Sequence, residues 1–147
     1  MLEQRIDYDR TCIFCRIVAG VATCERLAEN EAAFAFMDNH PANDGHCLVI
    51  PKRHAVTIFD LSPDEFAHVS HMAAKVSHAV QEAMTPEGLS LVQANGVAAG
   101  QTVPHLHIHV LPRRTGDALA LNWPRTRLVL PSRIVTHAAR IRAKLSS

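Results

Sequence analysis

The chain has 147 residues, enough for one domain that buries about two thirds of its unfolded surface. It is 48% hydrophobic and nearly neutral, with 15 basic against 14 acidic residues, which argues against a general polyanion-binding surface. No stretch approaches the roughly 20 apolar residues of a membrane span, and the polar segment Met1 to Arg10 leads into no secretory apolar run, so a cytoplasmic location is expected. Thiols stay reduced there, so Cys12, Cys15, Cys24 and Cys47 are read as metal-binding or packing residues rather than a disulfide framework. The unusual figure is ten histidines.

Residues 12–19 read as a short helix with Ile13, Phe14, Ile17 and Val18 as its apolar members and Gly20 as its stop. Glu25 to Met37 alternates loosely and predicts two strands meeting at a turn near Glu29-Asn30-Glu31. Residues 38–45 are dense in turn formers, and His46 to Ile50 reads as a strand stopped by Pro51. The clearest helix runs from Ser62 to Met84. Ser62 and Glu65 form a capping box, Pro63 takes the first helical position, and Phe66, Val69, Ala73, Val76, Val80 and Ala83 mark one apolar face. Leu89 to Ala94 reads as a strand, Asn95 to Val103 as a glycine-containing loop, and His105 to Leu111 as a strand stopped by Pro112. Ser132 to Lys144 reads as a basic terminal helix, while the stretch from Arg113 to Pro131 gives no clear signal. Strands joined by hairpins plus one long helix predict an antiparallel α+β domain.

Alternate residues of a strand share a face, so His105, His107 and His109 point one way while Leu106, Ile108 and Val110 point into a core. Folding alone seldom selects three such imidazoles, which pack worse than branched aliphatics and titrate near neutrality. A neutral imidazole nitrogen is a good nucleophile, and a ring that donates to a carbonyl through one nitrogen offers the other's lone pair to a substrate. The loop upstream supplies the complement. Gly96 and Gly100 let backbone N–H groups approach an anion, and Gln101 and Thr102 add side-chain donors that would stabilise charge on phosphoryl oxygens.

The run Gly100-Gln101-Thr102-Val103-Pro104-His105-Leu106-His107-Ile108-His109-Val110-Leu111-Pro112-Arg113 resembles the signature of the histidine-triad (HIT) family. Cys12-Ile13-Phe14-Cys15-Arg16-Ile17 and Gly45-His46-Cys47-Leu48-Val49-Ile50-Pro51-Lys52-Arg53-His54 are similar to its bacterial branch. The matches cover 12–113, so residues 1–147 read as one domain with its core there and a C-terminal tail and helix at 114–147. The resemblance implies a HIT-like fold, an antiparallel sheet of about five strands with the long helix packed on it, and a homodimer that merges two sheets. It implies that His107 attacks an α-phosphorus to form a covalent nucleotidyl-histidine, with His109 and His46 completing the polar shell. Asn95, Gly100, Gln101 and Thr102 then contact the phosphate, Asp38 binds the ribose hydroxyls, and Phe14, Ile17 and Phe36 wall a purine pocket. The implied substrates are purine nucleoside phosphoramidates or adenylyl conjugates, with diadenosine polyphosphates as the alternative. Thr102 stands where serine is commoner, Asn39 where an aliphatic is usual, and Thr23-Cys24 where Ile-Pro often follows the first helix.

Cys12-x-x-Cys15 has three readings. A thioredoxin-like redox pair lacks the surrounding βαβ pattern, two packing cysteines remain open, and the third reading is a zinc site. Zinc wants four Cys or His ligands and the chain has no second cysteine pair, so two histidines must complete it. The resemblance implies Cys12, Cys15, His54 and His105 as ligands of a structural Zn²⁺. His68, His71 and His78 fall off the apolar stripe of the long helix and read as a solvated face, and His40 and His137 show no partner. Arg125, Arg127, Arg133, Arg140, Arg142 and Lys144 make the tail basic, but without aromatics for base stacking a solvated surface is the simpler reading than a nucleic-acid site. Trp123-Pro124 resembles the tail that, in the Hint-like branch, approaches the active site and influences substrate choice. Two other classes were weighed. A cupin wants a glutamate soon after the histidines, where Val110-Leu111-Pro112-Arg113 stands, and a metallo-β-lactamase-like site wants an Asp-His continuation. A zinc-stabilised nucleotide-binding module without turnover is harder to reconcile with retention of His107, Gln101 and Thr102.

Overall fold

The computed structural model describes residues 7–120, 123 and 127–146; most of the N-terminal segment 1–10, with Pro124 and Arg125 of the tail, lies outside them. Helix α1 (Ile13–Val18) leads into strands β1 (Arg26–Glu29), β2 (Ala33–Met37) and β3 (Cys47–Pro51). Helix α2 (Pro63–Met84), strands β4 (Gly88–Gln93) and β5 (Ile108–Arg113) and helix α3 (Pro131–Leu145) follow. The strands form one antiparallel sheet in the order β1-β2-β3-β5-β4, which is the predicted α+β architecture. Among the described residues no helix is long and apolar enough to cross a membrane.

Local chemistry explains the elements. Cys12 caps α1 by accepting from the Cys15 N–H, and Gly20 follows with φ +75°. Asn30 turns β1 into β2 by accepting from the Ala32 and Ala33 N–H groups, both at 2.9 Å. The Ser62 hydroxyl accepts from Glu65 N–H and the Glu65 carboxylate from Ser62 N–H, both at 3.1 Å, so the capping box forms as read. Gly45, at φ +88°, passes so close to α2 that a Cβ there would lie 2.9 Å from Met84 Cγ.

The sheet separates two cores. On one face Ala33, Ala35, Met37, Cys47, Val49, Ile108 and Val110 pack with α2 and α3, joined by Leu106. On the other, Phe34, Phe36, Leu48 and Ile50 pack with Cys12, Phe14, Cys15 and Ile17 of the α1 segment. The period-2 alternation of β2 and β3 thus serves two buried faces, which is why neither strand shows a polar side. His68, His71 and His78 are exposed, as expected.

Three expectations need correction. The ladder of β5 begins at Ile108 rather than His105, because Pro104 has no N–H, His105 N–H turns back to Val103 O and Leu106 N–H is taken by Ala55 O at 2.7 Å. Pro112 does not stop β5, which runs on to Arg113, while Pro51 is the last residue of β3. Each lies beyond the β3–β5 pairs, which end at Val49 and Val110, so each needs a partner on one side only. His137 is buried on α3, and burial pushes its pKa down against the opposing pull of Asp44, with Arg133, Arg140 and Arg127 adding to the fall.

Leu106, between His105 and His107 in the sequence, is fully buried. Leu106→Ala is expected to cost about 2–5 kcal/mol in urea unfolding, from lost transfer energy plus the cavity left behind.

Candidate active site

The α1 face of the sheet is only partly covered by its short helix, and the histidines stand where that cover ends. His109 on β5 sits opposite Leu48 of β3 and Val92 of β4. His105, in a bend, and His107 precede the strand, and both rings meet Phe14 edge-on at 5.8 and 5.3 Å. His107 and His109 are 4.9 Å apart, ring centre to ring centre.

Hydrogen bonds fix where each ring carries its proton. The His107 Nδ1–H donates to the His105 carbonyl at 2.8 Å, which places the lone pair on Nε2. His46 Nδ1 accepts from the Ala42 backbone N–H at 3.0 Å, so its proton is on Nε2. That N–H donates to His109 Nδ1 at 2.9 Å, and His109 in turn carries its proton on Nε2. Asp38 Oδ2 lies 3.6 Å from His46 Nε2, and its Oδ1 accepts from His40 N–H at 2.8 Å. The result is an imidazole lone pair beside an N–H donor, ordered by two backbone groups.

His107 and His109 line a cavity of about 700 Å³ with Asn95, Gly100, Thr102 and Trp123. A second cavity of about 540 Å³ is lined by Phe14, Ile17, Phe36 and Asp38. Phe14 connects them, since its ring also touches His107. The predicted residues therefore converge, with two exceptions. His46 is fully buried behind His109 and lines neither cavity, so it orients rather than touches. Gln101 is committed to backbone partners: Nε2 donates to Val56 O (2.6 Å) outside the loop and to Val103 O (3.0 Å), and Oε1 accepts from Gly96 N–H (2.7 Å). The N–H groups of Gly96, Gly100 and Gln101 are likewise used inside this turn, which corrects the expectation that they face an anion. Gly100, at φ +93°, gives the loop its shape, and the Thr102 side chain is the loop hydroxyl at the cavity. Asn95 also braces the loop, its Oδ1 accepting from Ile58 N–H at 2.7 Å.

Cys12, Cys15, His54 and His105 form a compact cluster whose ligand atoms all lie within 4.8 Å of one another. Cys12 Sγ and Cys15 Sγ are 3.4 and 3.6 Å from His105 Nδ1, Cys15 Sγ is 3.2 Å from His54 Nδ1, and the two Nδ1 atoms are 3.3 Å apart. Ordinary zinc bond lengths give tetrahedron edges of about 3.3–3.8 Å, so this donor set fits a tetrahedral ion. His105 Nε2–H donates to Pro51 O at 2.9 Å, which turns Nδ1 toward the cluster, and backbone N–H groups of Asp9 and Cys15 donate to the two sulfurs. Burial pushes the Cys15 thiol up to about 11 and pulls His105 down to about 4, against the Pro51 bond that favours its charged form. Cys47 is different: burial raises its pKa, and its thiol donates to Gly45 O at 3.0 Å as a packing group.

Sequence reasoning missed Phe59, Val92, Ala98 and Ala99 in the first cavity, Asp9 3.9 Å from His54 Nε2, and the Pro51 carbonyl. Small apolar side chains and backbone carbonyls carry no sequence signal for such roles.

A family model described as the HIT domain matches residues 19–116, and the chain belongs to the HIT family. It is 39% identical over 115 residues to the adenosine 5'-monophosphoramidase of Schizosaccharomyces pombe, covering 78% of this chain and 84% of that protein. It is 35% identical to an adenylylsulfatase of Arabidopsis thaliana, covering 74% of this chain and 55% of that protein. A Zn-bound histidine triad family protein from Mycobacterium smegmatis superimposes with a TM-score of 0.80 at 35% identity, covering 92% of this chain and 94% of that one.

Gln101→Ala would leave the Val56 carbonyl and the Gly96 N–H without this partner, while the Val103 carbonyl keeps the His105 N–H. It is expected to lower stability by about 1–3 kcal/mol and to speed hydrogen exchange across residues 96–103.

Proposed function

We propose that this chain is a nucleotide hydrolase or nucleotidyl transferase acting at the α-phosphorus of purine nucleoside phosphoramidates or adenylyl conjugates, through a covalent nucleotide on His107. The reading rests on one observation: His107 gives its Nδ1 proton to a backbone carbonyl, so its Nε2 lone pair belongs to a ring lining a cavity. Nε2 forms a bond to phosphorus as the bond to the leaving amine breaks; the amine keeps the electron pair and takes up a proton from solvent, which the attacking water returns in the second step. The resulting imidazolium keeps its bond to the His105 carbonyl. Water then attacks the same phosphorus, the P–N electrons return to His107, and the nucleoside monophosphate departs.

His109, protonated on Nε2, and the Thr102 hydroxyl donate to the phosphoryl oxygens as charge builds. Asp38 accepts from the ribose hydroxyls, with the base against Phe14, Ile17 and Phe36. The kinship to an adenosine 5'-monophosphoramidase supports this substrate class. So does the first cavity: among its described lining residues none is Lys or Arg, which favours an uncharged leaving group over a polyphosphate. The same reading includes a homodimer with merged sheets, supported by the edge position of β4.

The Cys12, Cys15, His54 and His105 set would hold a structural Zn²⁺, supported by the tetrahedral spacing and by the Zn-bound relative. When bound, the ion cross-links the α1 segment to the chain entering β5 and fixes both thiolates.

His107→Ala should lower turnover of an adenosine phosphoramidate by at least about 100-fold with an unchanged circular dichroism spectrum. Turnover at the native rate would remove His107 as the nucleophile. Metal analysis should give about one zinc per chain, and Cys12→Ser should lose the ion and melt at lower temperature.

A further inference from the structure

The segment before α1 borders the Cys/His cluster, and one of its residues meets three of the four candidate ligands. Asp9 O accepts from the Cys12 N–H at 3.1 Å, and the Asp9 N–H donates to Cys15 Sγ at 3.5 Å. Asp9 Oδ2 lies 3.9 Å from His54 Nε2. The carboxylate is itself aimed. Its Oδ1 accepts from the Thr11 N–H at 2.8 Å and from the Thr11 hydroxyl at 2.7 Å, which leaves Oδ2 as the oxygen beside His54. Two residues earlier, Asp7 O accepts from the His54 N–H at 3.0 Å, so the same segment also holds His54 by its backbone.

The chemistry of the His54 ring gives the carboxylate a task. Nδ1 is the nitrogen at the cluster, 3.2 Å from Cys15 Sγ and 3.3 Å from His105 Nδ1. A neutral imidazole that gives its Nδ1 lone pair to a cation carries its proton on Nε2. That proton then sits on the nitrogen beside Asp9, where a charged acceptor fixes the ring and makes it a stronger donor to the cation. His105 takes the corresponding support from the Pro51 carbonyl at 2.9 Å. The His54 side chain is 11% exposed and the Asp9 side chain 38%, so water screens this contact less than it would a fully exposed pair.

We propose that Asp9 is a positioning residue for the metal site, holding the His54 ring with Nδ1 toward the cluster and raising the affinity of the Cys12, Cys15, His54 and His105 set for Zn²⁺. The proposal deepens the zinc reading given above and rests on it.

Zinc affinity is measured on the full chain by competition with a chromophoric chelator, under reducing conditions without oxygen. Asp9→Asn keeps an acceptor for Thr11 and the backbone contacts to Cys12 and Cys15, but removes the charge beside His54 Nε2. It should weaken Zn²⁺ binding by about 10- to 100-fold, the usual worth of such an outer partner, with an unchanged circular dichroism spectrum. Asp7→Asn removes an exposed charge from the same segment, at a residue whose carbonyl makes the contact to His54, and should stay within about twofold of the native affinity. Co²⁺ is the second probe: its absorption should show a tetrahedral site of two sulfurs and two nitrogens in the native chain and in Asp9→Asn alike, because the four ligands are the same. Native zinc affinity in Asp9→Asn overturns the proposal. So does an equal loss in Asp7→Asn, which would assign the effect to net charge, and so does a Co²⁺ spectrum altered by Asp9→Asn, which would make Asp9 a ligand. If the native chain itself binds no zinc, the zinc reading fails and this proposal with it, and the native affinity tells that failure from the others.

Discussion

The ring of His105 donates to the Pro51 carbonyl and turns its other nitrogen toward Cys12, Cys15 and His54, while its backbone carbonyl accepts the proton of His107. One residue therefore carries the geometry of the Cys/His cluster into the proton placement of the neighbouring imidazole. If His105 turned, the carbonyl that sets the His107 tautomer would turn with it. Cys12 and His105 stand 93 residues apart in sequence, so this joint adds to the apolar packing that binds the α1 segment to the sheet.

A second constraint comes from a backbone amide. The Ala42 N–H imposes an acceptor on His46 Nδ1, and the remaining protons along His46 and His109 follow in order. The loop that supplies Ala42 is shaped by Gly45 against Met84, so the long helix on the opposite side of the sheet has a say in where His46 sits. The imidazoles at the cavity are thus held by peptide groups, whose donors and acceptors do not titrate, and by packing.

Legibility in the sequence tracked how much of each signal was local. The Ser62–Glu65 box, the stripe from Val69 to Ala83 and the alternation around Leu106 and Val110 need only neighbours a few residues away, and all three are present. The start of β5 was misplaced because alternation persists through His105 and His107 although the ladder does not; hydrogen bonds to Val103 and Ala55 are invisible to periodicity. The convergence of Phe14, Asp38 and His107 was legible only through family resemblance, since residues this far apart in the chain share no local pattern. Gln101 shows the opposite failure: its amide suits an anion chemically, but three backbone partners claim it first. Nothing in the stretch from Arg113 to Pro131 announced its fastening to Asn43 and Asp44, because isolated ion pairs have no spacing rule.

The sheet keeps two separate cores, one with α2 and α3 and one with the α1 segment, and Phe14 of the second meets the rings of His105 and His107. Descendants of such a scaffold can drift in their helical layer, gaining or losing robustness, while the chemistry stays recognisable. The opposite side has no such latitude: Phe14 and Phe36 pack together there, and Phe14 also touches His107, so any reshaping of the cavity walls there starts from residues that also hold the domain together.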